Sequence, residues 1–107
     1  MSEEIAVEIG SDNVYADLGY DQPEEMQAKA EMVHQIALII ENRWLTQERA
    51  AEIMGIDQPK VSALLRGRFR GFSIDRILRL LIALDNDVSI VIQPKREERG
   101  HLSVVGR

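Results

Sequence analysis

The sequence predicts an all-α domain of four to five helices with one short strand near its C-terminus. Three observations carry that prediction. Apolar residues recur at helical spacing along most of the chain between residues 23 and 84. The periodic stretches open on residues suited to helix starts, Pro23, Thr46, Asp57 and Ser73, and two of them close on glycine, at Gly55 and Gly67. Between Val88 and Ile92 the helical spacing gives way to a β-branched run closed by Pro94.

The elements follow in order. Residues 1–22 hold no sustained period; Ile5, Val7 and Ile9 alternate as in a short strand, and Gly10-Ser11-Asp12-Asn13 and Gly19-Tyr20-Asp21 read as turns, so an acidic arm is expected there. Pro23 starts a long helix to about Asn42, with Glu24 and Glu25 in the turn where the helix dipole favours acids and Met26, Ala30, Val33, Ala37 and Ile40 on its apolar side. Trp44 is expected to anchor the core where this helix ends, and Met26, Met32 and Met54 are expected to pack. Thr46 caps a helix from Gln47 to Met54, ended by Gly55. Asp57 caps another to about Leu65 or Arg66, its Pro59 tolerated because first-turn amides have no intrahelical acceptor. Ser73 caps the last, striped by Ile74, Ile77, Leu78, Leu81 and Leu84. Domain boundaries are therefore set at an arm over 1–22, a domain over 23–94 that includes the strand, and a loose polar tail over 95–107.

Several function classes find no support. No apolar run is longer than that of Ile36 to Ile40, far short of the ~20 residues that span a bilayer, and the acidic N-terminus is unlike a signal peptide, so a cytoplasmic protein without membrane contact is expected. Cysteine is absent, which excludes thiolate chemistry and cysteine-held zinc. His34 and His101 have no metal or catalytic partner nearby in sequence, the adjacent acids Glu24-Glu25 and Glu97-Glu98 point apart on a helix, and no phosphate loop follows a strand. The chain is read as a non-enzyme with no metal and no cofactor.

Charge is divided unevenly. The net charge is -5, yet residues 43–70 carry Arg43, Arg49, Lys60, Arg66, Arg68 and Arg70 against only Glu48, Glu52 and Asp57. Screening over roughly 8–10 Å makes the local patch, rather than the total, the quantity a polyanion feels.

Thr46 to Gly67 can be read as two short helices that cross closely. Ala51 supplies the small residue at the crossing, Gly55 the left-handed reversal, Ile56 the plug at the corner, and Val61 and Leu64 the anchors of the second helix. What remains outside on that second helix is Gln58, Pro59, Lys60, Ser62, Ala63 and Arg66, a polar, small and basic face of the kind that enters the DNA major groove.

The pattern Gln47…Ala51…Gly55-Ile56…Val61-Ser62…Leu64…Gly67 resembles the helix-turn-helix of the Cro/repressor (XRE) family. Leu45-Thr46-Gln47, Gln58-Pro59-Lys60-Val61-Ser62, Leu65-Arg66-Gly67-Arg68-Phe69, Phe72-Ser73-Ile74-Asp75-Arg76 and the upstream Asn13-Val14-Tyr15-Ala16-Asp17-Leu18-Gly19 further resemble its HigA-like antitoxin subgroup, encoded beside toxins of the RelE/HigB type. The likeness spans about Asn13 to Pro94. It implies a Cro/repressor-like domain that binds double-stranded DNA. Gln47 would then touch a phosphate, Gln58 would meet base edges with adenine as its natural partner, and Ser62 and Ala63 would occupy the next exposed turn. Lys60, Arg66, Arg68 and Arg70 would meet phosphates, positioning without specifying; Arg66, Arg68 and Arg70 can equally be read as a solvated turn. Pro59 departs from the glutamine or serine of many relatives and has no side-chain donor.

A lone strand is an open edge. The resemblance therefore implies a homodimer closed through Val88, Ile90, Val91 and Ile92, with two recognition helices about 34 Å apart on an inverted repeat. It also implies a second activity, in which the arm or the first helix covers a cognate toxin. Glu3, Glu4, Glu8, Asp12, Asp17 and Asp21, with no base among residues 1–22, suit a basic partner, and equally suit a solvated tail.

Overall fold

The end of each helix shows how this chain is built. The computed structural model describes residues 5–7 and 22–106, in the order β1 (Ile5–Val7), α1 (Pro23–Asn42), α2 (Gln47–Met54), α3 (Gln58–Leu65), α4 (Ile74–Ala83) and β2 (Val104–Gly106). The described residues thus hold four helices, at the lower end of the expected four to five. Thr46, Asp57 and Ser73 sit in extended backbone and their side chains accept from the N–H groups of Arg49, Lys60 and Arg76 at 3.0, 3.1 and 3.1 Å. Each cap satisfies one of the amides a helix start leaves without an acceptor.

The C-termini share a single geometry, a left-handed residue followed by a paired return of hydrogen bonds. After α1, Trp44 N–H donates to Glu41 O and Leu45 N–H to Ile40 O; after α2, Gly55 donates to Glu52 O and Ile56 to Ala51 O. After α3, Gly67 donates to Leu64 O and Arg68 to Ala63 O; after α4, Asp85 donates to Ile82 O and Asn86 to Leu81 O. These are Schellman closures, and they need positive φ at Trp44 (55°), Gly55 (70°), Gly67 (81°) and Asp85 (67°). Two of the four are made without glycine.

That geometry corrects the expectation for Trp44. The left-handed residue of such a closure turns outward, and the next residue folds back on the helix. Leu45 accordingly packs on the core while Trp44 is 92% exposed.

α1 packs against α3, α4 and β2, and α4 also packs against α2. Because α1 is covered from more than one side, its burial is wider than the expected stripe: Met26, Met32, Val33 and Ile40 are buried as foreseen, Ala30 and Ala37 are partly buried, and Ala28 and Ile36 are buried as well. Ile77, Leu81 and Leu84 of the α4 stripe are buried, with Leu80 beside them. Arg43, placed by sequence in the basic patch, reaches across to Leu84 O at 3.1 Å and satisfies a carbonyl at the C-terminus of α4.

The C-terminal strand lies elsewhere than expected. Val88–Ile92 forms no ladder in the described residues and is exposed, with Ile92 at 91%. β-branched composition favours extended backbone, but a strand also needs a neighbour to exchange hydrogen bonds with. β2 has one: it pairs antiparallel with β1, Ala6 opposite Val105. Segment 95–106 is accordingly not a loose tail; it returns to α1, where Val104 packs on the core and Gly106 comes so close to Gln35 that a Cβ would meet that side chain. Most of the expected arm, and the turns foreseen in it, lie outside the described residues. No helix among the described residues is long and apolar enough to cross a membrane.

Candidate nucleic-acid interface

α2 and α3 pack against each other through their inner faces. Ala50 and Ala51 of α2 are buried in the core, and Ile56 is half-buried at the corner between the two helices. The chain reverses through Gly55. Nothing lies within 4 Å of a Cβ built there, so its φ of 70°, rather than crowding, is what asks for glycine.

α3 is divided sharply. Val61 and Leu64 have essentially no exposure, which fixes the rotation of the helix about its axis. On the other side Gln58, Pro59 and Lys60 are exposed, and Ser62 and Ala63 are partly so. Gln58, the first residue of α3, projects from a terminus whose early amides face outward. Gln47 is exposed at the corresponding start of α2. Of the expected contact residues, Gln58, Pro59, Lys60, Ser62, Ala63 and Arg66 thus share one element and its cap, with Gln47 on the partner helix.

The basic residues fall into distinct groups. Arg66 turns back along α3 and donates from Nη2 to Ser62 Oγ at 2.7 Å, so these two act as a unit. Lys60 stays 3.9 Å from Asp57, a loose pair. Arg68 and Arg70 are exposed on the turn after α3. Between and after them, Phe69 and Phe72 are buried and the Phe72 N–H donates to Phe69 O at 2.9 Å, which pins the turn and keeps the arginines outward. Sequence reading left these two phenylalanines without a role; the alternation Arg68-Phe69-Arg70 was the available signal, since neighbours in an extended turn face opposite ways. Arg76 lies over the Phe72 ring, 4.6 Å from its centroid. Arg43 and Arg49 do not join this surface charge on equal terms, because Arg43 is committed to Leu84 and Arg49 to Glu52 at 2.9 Å.

The expected dimerisation residues Val88, Ile90, Val91 and Ile92 are all exposed, and none lies on α2 or α3.

Known proteins carry the same arrangement. The sequence profile of a helix-turn-helix domain family matches residues 14–93. A solved structure described as an XRE family transcriptional regulator superposes with a TM-score of 0.75 at 42% identity, over 81% of this chain and 100% of the other. No curated protein matches significantly. A profile running through the whole of α1 to α4, and a relative this similar over its full length, show that the chain belongs to the helix-turn-helix domain family, in its XRE branch.

Proposed function

We propose that this protein is a sequence-specific DNA-binding transcriptional regulator, working as a homodimeric autorepressor on an inverted-repeat operator. One observation carries the reading: α3 buries Val61 and Leu64 completely and leaves a continuous polar and basic face from Gln58 to Arg66. Such a helix fits the major groove, about 12 Å wide. Gln58 reads a base there, with adenine as the bidentate match, while Ser62 and Ala63 sit close to the next base pairs. Pro59 contributes shape without a donor. Gln47, Lys60, Arg66, Arg68 and Arg70 hold phosphates and set the register. The resemblance of this chain to the solved structure described as an XRE family transcriptional regulator supports the regulatory role.

The homodimer rests on Val88–Ile92. A β-branched stretch with exposed side chains is suited to pairing with the same stretch of a second copy, which would complete the ladder a single chain lacks. Two α3 helices about one DNA turn apart would then read symmetric half-sites.

A second reading adds a partner. The acidic composition of residues 1–22 favours a basic protein surface, in keeping with an antitoxin that neutralises a RelE/HigB-type RNA-cleaving toxin by direct contact. Removing residues 1–22 should leave DNA binding intact and abolish toxin binding.

The test of the first reading is a gel-shift titration against the DNA immediately upstream of the protein's own gene. A discrete shift that resists unrelated competitor and weakens with salt supports autoregulation. Binding to all duplexes alike would refute sequence-specific repression.

A further inference from the structure

The C-terminal segment is tied to the start of α1 by a small charged cluster. His101 lies between two carboxylates, with Nδ1 2.6 Å from Glu24 Oε1 and Nε2 3.3 Å from Glu97 Oε2. Glu24 is used twice, since its other oxygen accepts the Leu102 N–H at 3.2 Å. Arg99 stands farther off, 4.0 Å from Glu24 Oε1. Immediately beyond this cluster, Val104 packs on the core, Gly106 approaches Gln35, and β2 pairs with β1. The residues that clasp α1 are therefore continuous with the strand that holds β1.

We propose that residues 97–106 form a proton-gated strap: with His101 protonated and Glu24 ionised it fastens β1 to α1, and loss of the His101 proton loosens both strands from the helix.

Sequence reading gave His101 no partner: Glu24 lies 77 positions away, and Glu97, only four positions away, carries no spacing signal outside a helix. The charged groups facing the ring are Glu24 from α1 and Glu97 and Arg99 from the strap itself. The hydrogen bond to Glu24 is the main cause that raises the His101 pKa above its ordinary 6.5; partial burial opposes it, the two carboxylates add to it and Arg99 subtracts. The same hydrogen bond is the main cause that lowers Glu24 from its ordinary 4.5. A raised histidine contributes fully below 6.5 and is lost as pH rises through its folded value. A lowered carboxylate contributes above 4.5 and is lost as pH falls through its folded value. The strap is therefore tightest between these two limits and opens on the alkaline side through His101.

The experiment uses the full-length protein without DNA. NMR follows the His101 ring, assigned by its disappearance in His101→Gln, together with the ¹³Cα and ¹³Cβ shifts of Val104 and Val105, which report strand conformation independently of amide exchange. Spectra at about pH 5.5 and about pH 8.5 bracket the imidazole range. The strap predicts a His101 midpoint above 6.5, strand-like shifts at the lower pH that are lost at the higher, and unchanged α2 and α3 signals. In Glu24→Gln the midpoint should fall and the strand shifts should be lost at both pH values. Strand shifts that stay the same across the range, or a midpoint indifferent to Glu24→Gln, would overturn the proposal. The wild-type pH comparison decides even if that variant folds poorly.

Discussion

The helix-turn-helix of residues 46–67 and the C-terminal stretch of residues 88–106 are similar in length and held in opposite ways. In the first, the determinants are local: Thr46 and Asp57 cap within three residues, and Gly55 and Gly67 close within five. Val61 and Leu64 then bury fully and give those local choices a common core. In the second, residues 88–100 are exposed throughout, and what fixes the segment beyond them is a polar cluster with Glu24, a three-residue ladder with β1 and the single apolar contact of Val104 with the core. A surface meant to present side chains at fixed spacing needs the first kind of support. A segment made to come and go needs only the second.

This contrast predicts the largest effect inside the helix-turn-helix. Leu64→Ala removes a fully buried side chain and should cost about 2–5 kcal/mol in denaturant unfolding, with DNA binding falling as the fold is lost. A cost near zero would mean that α3 is not anchored as described.

Next come the contacts. Gln58→Ala should lose roughly 1–3 kcal/mol of discrimination at one base pair while keeping non-specific affinity. Arg68→Ala should weaken all sequences alike and reduce the salt slope by about 1. Binding titrations over a panel of operator variants separate the two, and equal behaviour would erase the distinction between reading and positioning.

Capping gives a smaller effect. Thr46→Ala should cost about 1 kcal/mol, measured by thermal or denaturant unfolding, because the Arg49 amide loses its acceptor.

The smallest effect has the opposite sign. Trp44 is left-handed and almost fully exposed, so Trp44→Gly removes strain and forfeits little burial. Left-handed backbone costs a non-glycine residue roughly 1–2 kcal/mol, partly offset by the flexibility glycine adds to the unfolded chain, at roughly 0.5–1 kcal/mol. A modest rise in the unfolding midpoint is expected; a clear loss of stability would show that the indole packs after all.

The same contrast explains what could be read in advance. α1 to α4 were legible almost to the residue because Pro23, Thr46, Asp57, Ser73, Gly55 and Gly67 act on their own neighbours. Trp44 was misread because a large aromatic side chain usually enters a core, and only the closure after α1, which has no glycine to announce it, turns it outward. Val88–Ile92 forms no ladder with the described residues of its own chain, because composition speaks for extended backbone and says nothing about a partner. β2 was overlooked for the converse reason: Val104-Val105-Gly106 is too short to signal a strand, and its neighbour β1 lies at the other end of the chain. Of the interface, the exposed face of α3 was visible in the spacing of Val61 and Leu64. The engagement of Arg43 with Leu84 depends on a contact 41 positions apart and was not.

The central claim is that the outward face of α3 enters a major groove at symmetric half-sites. Hydroxyl-radical and methylation footprinting of the protein on the DNA upstream of its own gene tests it most directly. The account predicts two protected half-sites about 34 Å apart with major-groove protection, one base pair in each losing its preference in Gln58→Ala. A single unrepeated footprint, or symmetric protection indifferent to Gln58→Ala, would contradict it.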